Sequence, residues 1–137
     1  MIGKIKEYGI TFRKVIQTMG IDEFPQSSFF ENFPRGCCGD TSDLFAKFLS
    51  SHGISTYYVW GLKSEQSHAW LEYEDIIIDL TADQFDEIQD EVIVTTERSW
   101  HNQFVVQNKR LCDFDEYNNY NANRLRTIYN NILNRIE

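Results

Sequence analysis

Between residues 38 and 96 the spacing of apolar residues changes from helical to extended, and this change limits the folds open to the chain. In CGDTSDLFAKFLSSH, residues 38 to 52, Leu44, Phe45, Phe48 and Leu49 share one helical face, and Gly53 follows as a stop. Short β-rich runs come next: STYYVWG at 55–61, SHAWLEY at 67–73, DIIIDL at 75–80 and EVIVTT at 91–96. Turn-like clusters separate them, which predicts a meander of antiparallel strands. Helical patterns flank this block. KIKEYGITFRKVIQTM, residues 4 to 19, sets Ile5, Phe12, Val15, Ile16 and Met19 at near-helical spacing, weakened at Gly9 and ended by Gly20. Within 115–136, Leu125, Ile128, Tyr129, Ile132, Leu133 and Ile136 recur at intervals of three and four, an amphipathic helix. Residues 21–37 contain both prolines and read as a loop. The order helix, loop, helix, strands, helix specifies an α+β chain, and 137 residues suit a single domain, 1–137, with a core of its own.

Charge and composition narrow the function classes. An apolar fraction of 42% fits a globular protein. A formal net charge of -8 argues against a partner that is nucleic acid or an anionic membrane, since both require a basic face. The longest apolar run is III at 76–78, far short of the roughly 20 residues of a membrane span. No charged start leads into an apolar segment, so no signal peptide is expected. Three cysteines, Cys37, Cys38 and Cys112, make an odd count that favours reduced thiols and a cytoplasmic setting over a disulfide framework. A domain cut from a larger secreted effector would have the same composition.

The cysteines in FPRGCCGDTSD, residues 33 to 43, raise the question of chemistry. A nucleophilic cysteine needs a lowered thiol pKa, and a helix N-terminus lowers it through unpaired N–H groups and the positive end of the dipole. Cys38 sits where the helical periodicity begins, between Gly36 and Gly39, whereas Cys37 falls one residue earlier in the loop. The competing reading is two small buried hydrophobes, the usual fate of free cysteine. His68 opens HAWLEY on one predicted strand and Asp79 closes the next. A hairpin of these strands can bring both to one end, where His68 takes the thiol proton and Asp79 orients the imidazole. Taken singly, His68 also reads as a strand-edge polar residue and Asp79 as a strand-end cap.

Together these stretches resemble transglutaminase-like proteins. In that family a cysteine starts a helix, a small residue lies four positions on, and Gly-Ile follows at fifteen and sixteen. Counted from Cys38 those places hold Ser42, Gly53 and Ile54, and Val59-Trp60-Gly61 ends the following strand. Counting from Cys37 loses the register. SHAWLEY is similar to the family's His-Ala-Trp strand and IIDLT to its Asp-Pro-Thr, with Leu80 in place of the proline. The likeness covers roughly residues 36–86. It implies a transglutaminase-like or papain-like core, with a nucleophile helix packed on an antiparallel sheet and a Cys38, His68, Asp79 triad. Papain-like peptidases and arylamine N-acetyltransferases share the order, so the chemistry is better specified than the substrate.

A developing oxyanion needs donors. The backbone N–H of Cys38 is one. Asn32 lies six residues upstream, the spacing at which papain-like enzymes place a glutamine, and Gln84 in TADQF is a further candidate that also reads as a turn residue. His52 beside Gly53 reads as a helix-end residue, and His101 beside Trp100 has no recognisable spacing. No metal or other cofactor is expected, because adjacent cysteines lack structural-zinc spacing and no run has EF-hand spacing.

The expectation is a thiol-dependent enzyme acting on amide or acyl bonds through a thioester. Passage of the acyl group to water gives a cysteine peptidase, amidase or deamidase; passage to an amine gives a transglutaminase or acyltransferase. The substrate would be a protein, a peptide or a small amide. Two other readings stand beside it: a toxin or effector domain that modifies a target protein and has an inhibitor or immunity partner, and a catalytically silent binding module.

Overall fold

In the computed structural model the chain is α+β; it describes residues 1–26 and 28–136, with all their side chains but those of Ser28 and Phe29. Helices α1 (Ile2–Thr18) and α2 (Cys38–Ser51) precede strands β1 (Tyr57–Lys63), β2 (Gln66–Tyr73), β3 (Ile76–Asp79), β4 (Ile93–Thr95) and β5 (Val105–Leu111), and α3 (Asn119–Ile136) closes the chain. The strands form one sheet in the order β4-β3-β2-β1-β5, and every neighbouring pair is antiparallel. Short 3-10 turns at Ala82–Gln84 and His101–Gln103 sit between strands, and both bear on the site. Among the described residues, no helix is long and apolar enough to cross a membrane.

Strand alternation divides the interior in two. Leu71 of β2 and Ile78 of β3 join the larger core, with Ile5, Phe12 and Ile16 of α1, Leu44, Phe45, Phe48 and Leu49 of α2, and Leu125, Ile128 and Ile132 of α3. Their neighbours Trp70 and Ile77 fall in a smaller cluster with Val59 and Phe104, covered by Phe85 and Trp100. Helix packing thus stabilises one face of the sheet, and the chain from β3 to β5 folds back over the other. Buried Glu72 fastens that return: it accepts from Trp70 Nε1 at 3.0 Å, Arg98 at 2.8 Å and Lys109 at 3.1 Å.

The structure extends the sequence reading at three places. β5 was not expected, because all seven of its residues are exposed and no alternation marks them; its pairing with β1 alone makes it a strand. β1 runs on to Lys63 instead of ending at Gly61, with a register shift between Trp60 and Gly61 in its pairing with β5. Gly9 does more than weaken α1. A Cβ there would lie 2.9 Å from Val92 and 3.1 Å from Leu80, so glycine lets the helix approach the β3–β4 connection closely.

Arg13, one turn further along α1, secures that approach. Its guanidinium is 3% exposed and donates to the carbonyls of Leu80 at 2.8 Å and Glu91 at 2.9 Å, and to both Asp83 oxygens at 2.6 and 2.7 Å. A fork of donors that satisfies two carbonyls and a carboxylate holds the segment following Asp79 in one conformation. Arg13→Ala strands these acceptors in the interior, with an expected loss of about 3 kcal/mol in a urea titration. An unchanged midpoint would contradict this account.

Asp43 of α2 is 6% exposed, with Tyr117 Oη donating at 2.7 Å and the Cys112 thiol at 3.4 Å. Burial dominates over these donors and lifts its pKa to about 6. The sign follows directly. Between the unfolded carboxylate value near 4 and about 6, the folded state binds more protons, so stability falls as pH rises through that window. Asp43→Asn keeps an acceptor without the charge. It should be more stable than wild type by about 2 kcal/mol at pH 7 and lose that advantage towards pH 4, as measured by urea denaturation at both pH values.

Candidate active site

The site is built at the start of α2. Gly36 has φ +77, a left-handed conformation that turns the chain towards the helix without side-chain strain. Cys37 then serves as N-cap, its carbonyl accepting the Thr41 N–H at 2.9 Å, and Cys38 is the first helical residue. The two thiols separate completely. Cys37 is 1% exposed in the larger core, with its Sγ 3.4 Å from the Pro34 carbonyl. Cys38 is half-buried beside the start of β2, where its thiol interacts with the His68 ring and with the backbone N–H of Ala69.

His68 and Asp79 meet across the β2–β3 hairpin. His68 Nε2 lies 2.7 Å from Asp79 Oδ2, and both residues are buried. Because β3 ends at Asp79, the carboxylate is at the end of the sheet, and its Oδ1 accepts the Thr81 N–H at 3.0 Å. Nδ1, the other ring nitrogen of His68, lies 3.0 Å from the Gln84 amide Nε2, and the Cys38 thiol interacts with the same ring. Aromatic rings enclose the imidazole: Phe85, Trp70, Phe104 and Trp100 have centroids between 5.2 and 5.9 Å from its own.

Electrostatics divides the cysteines further. Burial disfavours the thiolate at Cys38, but the His68 hydrogen bond and charge and the Ala69 N–H outweigh it, and the pKa falls below the ordinary thiol value. For Cys37, burial dominates and pushes the pKa up to about 12; Cys112 is raised by burial and by the neighbouring Asp43. Both thiols are therefore less acidic than a free cysteine. Burial would lower the His68 pKa, yet the Asp79 charge and hydrogen bond, together with Cys38, lift it to about 10. Against its own burial, Asp79 is held far below the usual carboxylate range by His68 and by hydrogen bonds from both His101 and His68.

Gln84 therefore reaches the site, from the turn Ala82–Gln84, but its amide is turned to His68 instead of to an open donor position. Asn32 is exposed at the end of the turn Ser28–Asn32, and among the described residues nothing links its side chain to Cys38, His68 or Asp79. His52 ends α2, its ring stacked on Tyr8 with centroids 4.5 Å apart.

Two residues that the sequence left out belong here. His101 is 3% exposed, and its Nε2 lies 2.7 Å from the same Asp79 oxygen that His68 contacts. It follows Asp79 by 22 positions in an irregular stretch, so no periodicity marks it. Tyr58 of β1 is half-buried, and its hydroxyl is 3.1 Å from where a Cβ on Gly39 would stand. Burial and the charges of Asp43 and Cys38 raise its pKa, so the phenol keeps its proton as a donor beside the first turn of α2. The strand pattern at 55–61 was legible, but which tandem tyrosine faces the helix was not.

His68, Asp79 and His101 place metal-binding atom types within 4.8 Å of one another. Both ring nitrogens, however, face a single carboxylate oxygen at hydrogen-bonding distance, the arrangement of two N–H donors on one acceptor. The geometry brings a thiol, an imidazole and a buried carboxylate together, and their electrostatics favours the thiolate at Cys38.

Limiting iodoacetamide at pH 6 should therefore label Cys38 well before Cys37 and Cys112 in the folded protein, as read by peptide mapping. His68→Ala should abolish most of that preference, because it removes the main influences that favour the thiolate. Equal labelling of the three cysteines would contradict the electrostatic account.

No family model matches the chain, and no curated protein and no solved structure matches it either.

Proposed function

We propose that the protein is a thiol-dependent enzyme that attacks amide or related acyl bonds through Cys38, His68 and Asp79, on a core of the transglutaminase-like or papain-like kind. The observation that carries the reading is that Cys38 starts α2 beside the hydrogen-bonded His68–Asp79 pair, where interaction with the His68 ring favours the thiolate despite burial. A small buried hydrophobe needs neither feature, and Cys37 next to it has the opposite character.

The steps follow from the groups present. Cys38 Sγ, as thiolate beside the His68 imidazolium, adds to the substrate carbonyl carbon. Negative charge passes to the carbonyl oxygen, which the Cys38 N–H can meet because the first N–H groups of a helix lack intrahelical partners. The imidazolium gives its Nδ1 proton to the departing nitrogen, the C–N bond breaks and a thioester forms. Asp79 keeps the proton on Nε2 throughout, so that Nδ1 is the nitrogen that exchanges protons with sulfur and substrate. His68 next removes a proton from water, whose oxygen attacks the thioester, and the acid is released with the thiol restored. Hydrolysis requires no further group on the protein, which favours a peptidase, amidase or deamidase acting on a protein, peptide or small amide in the cytoplasm.

The test is covalent. A p-nitrophenyl ester of an acylated amino acid, used as an acyl donor with wild type, Cys37→Ala and Cys38→Ala, should add one acyl group to the first two and none to the third by intact mass. Restoration of the free thiol in water alone would support hydrolysis over transfer. Acylation of Cys38→Ala at the wild-type rate would exclude Cys38 as the nucleophile.

A further inference from the structure

Asp79 is shared. His68 Nε2 and His101 Nε2 each lie 2.7 Å from its Oδ2, while the Thr81 N–H occupies Oδ1 at 3.0 Å. One carboxylate oxygen can accept two hydrogen bonds, so both imidazoles can donate at once. All three side chains are almost wholly removed from water, with exposures of 0% for His68, 2% for Asp79 and 3% for His101. The rings are tilted by 34° with centroids 6.3 Å apart, so they meet through the carboxylate and are not stacked on each other.

We propose that His101 is a positioning residue of this site, which donates Nε2–H to Asp79 and thereby keeps the carboxylate ionised and aimed at His68. This rests on the thiol-enzyme reading above and deepens it. The physical reason lies in what the carboxylate does without this donor. A buried carboxylate that loses one of three donors binds a proton more readily. Once protonated, it can give its O–H to His68 Nε2, which moves the ring proton to Nδ1. That tautomer has no lone pair facing sulfur and cannot take the Cys38 proton. His101 acts on the thiol only through Asp79 and His68, and it touches no reacting atom.

The turn that carries His101 is itself anchored. Arg98, three residues earlier, donates to buried Glu72, and the Asn102 N–H reaches the Arg98 carbonyl at 2.8 Å. Trp100 and Phe104, on either side, pack at the His68 ring. The Trp70 ring supports His101 from β2, with centroids 4.9 Å apart. The titratable groups that face Asp79 are His68 from β2, with Cys38 of α2 behind it, and His101 from the β4–β5 connection.

The test is the pH profile of Cys38 alkylation, measured from pH 4 to 9 on wild type, His101→Gln and His101→Leu, with folding checked by circular dichroism. Glutamine keeps an N–H that can reach Asp79; leucine does not. The expected result is an acid limb shifted upward by a unit or more in His101→Leu, a tenfold loss of rate on that limb, with little change above pH 8. His101→Gln should lie closer to wild type. Identical limbs in all three proteins would overturn the proposal, as would equal displacement of both variants, which would mean that ring packing and not donation matters. If His101→Leu does not fold, 15N-edited NMR of the wild type decides. A downfield, slowly exchanging His101 Nε2–H supports the role, and its absence removes it. Failure of the underlying reading is distinguishable, since wild type itself would then show no preferential alkylation of Cys38.

Discussion

A carboxylate buried with its charge has to be matched by donors, and in this protein that requirement at Asp79 organises everything around it. Leaving a charge unpaired in the interior costs more than most folds have to spare. Three donors converge on Asp79 from separate parts of the chain: an imidazole from β2, an imidazole from the turn before β5, and the N–H of Thr81. Satisfying this one group fixes the β2–β3 hairpin end, the exit of the chain from β3 and the return of the β4–β5 segment over the sheet.

The consequences pass outward to sulfur. Asp79 sustains the proton affinity of His68, and His68 in turn offsets the burial that would otherwise suppress the thiolate at Cys38. Cys37 shows what happens without that link: an adjacent thiol in the same chain, packed in the core, is driven the other way. The difference is one of direction. The first turn of α2 carries one cysteine to the sheet end and turns the other into the interior.

Support for the site comes from residues far from it. Arg13 of α1 fastens the segment from Leu80 to Glu91, and Gly9 lets α1 lie close enough to do so. That segment brings Gln84 to the imidazole. On the opposite face Glu72 holds Arg98, whose neighbours include Trp100 and His101. The two clusters of the core therefore hold the two sides of the same hydrogen-bonded chain.

Several things followed from the residues alone because they are local. Helical spacing marked α2 and its start at Cys38, alternation and turns marked β2 and β3, and the order of Cys38, His68 and Asp79 along those elements put them within reach of each other. Other features have no local signature. β5 is exposed along its whole length and is a strand only because β1 pairs with it. His101 and Tyr58 join the site by long-range folding, and Asn32, placed by spacing, stays at the surface. The sequence by itself determined the class of fold and which cysteine starts the helix, since periodicity and caps are properties of neighbouring residues. The tertiary structure decided which groups share Asp79 and which thiol is acidified, because burial and the convergence of donors exist only once distant segments have packed.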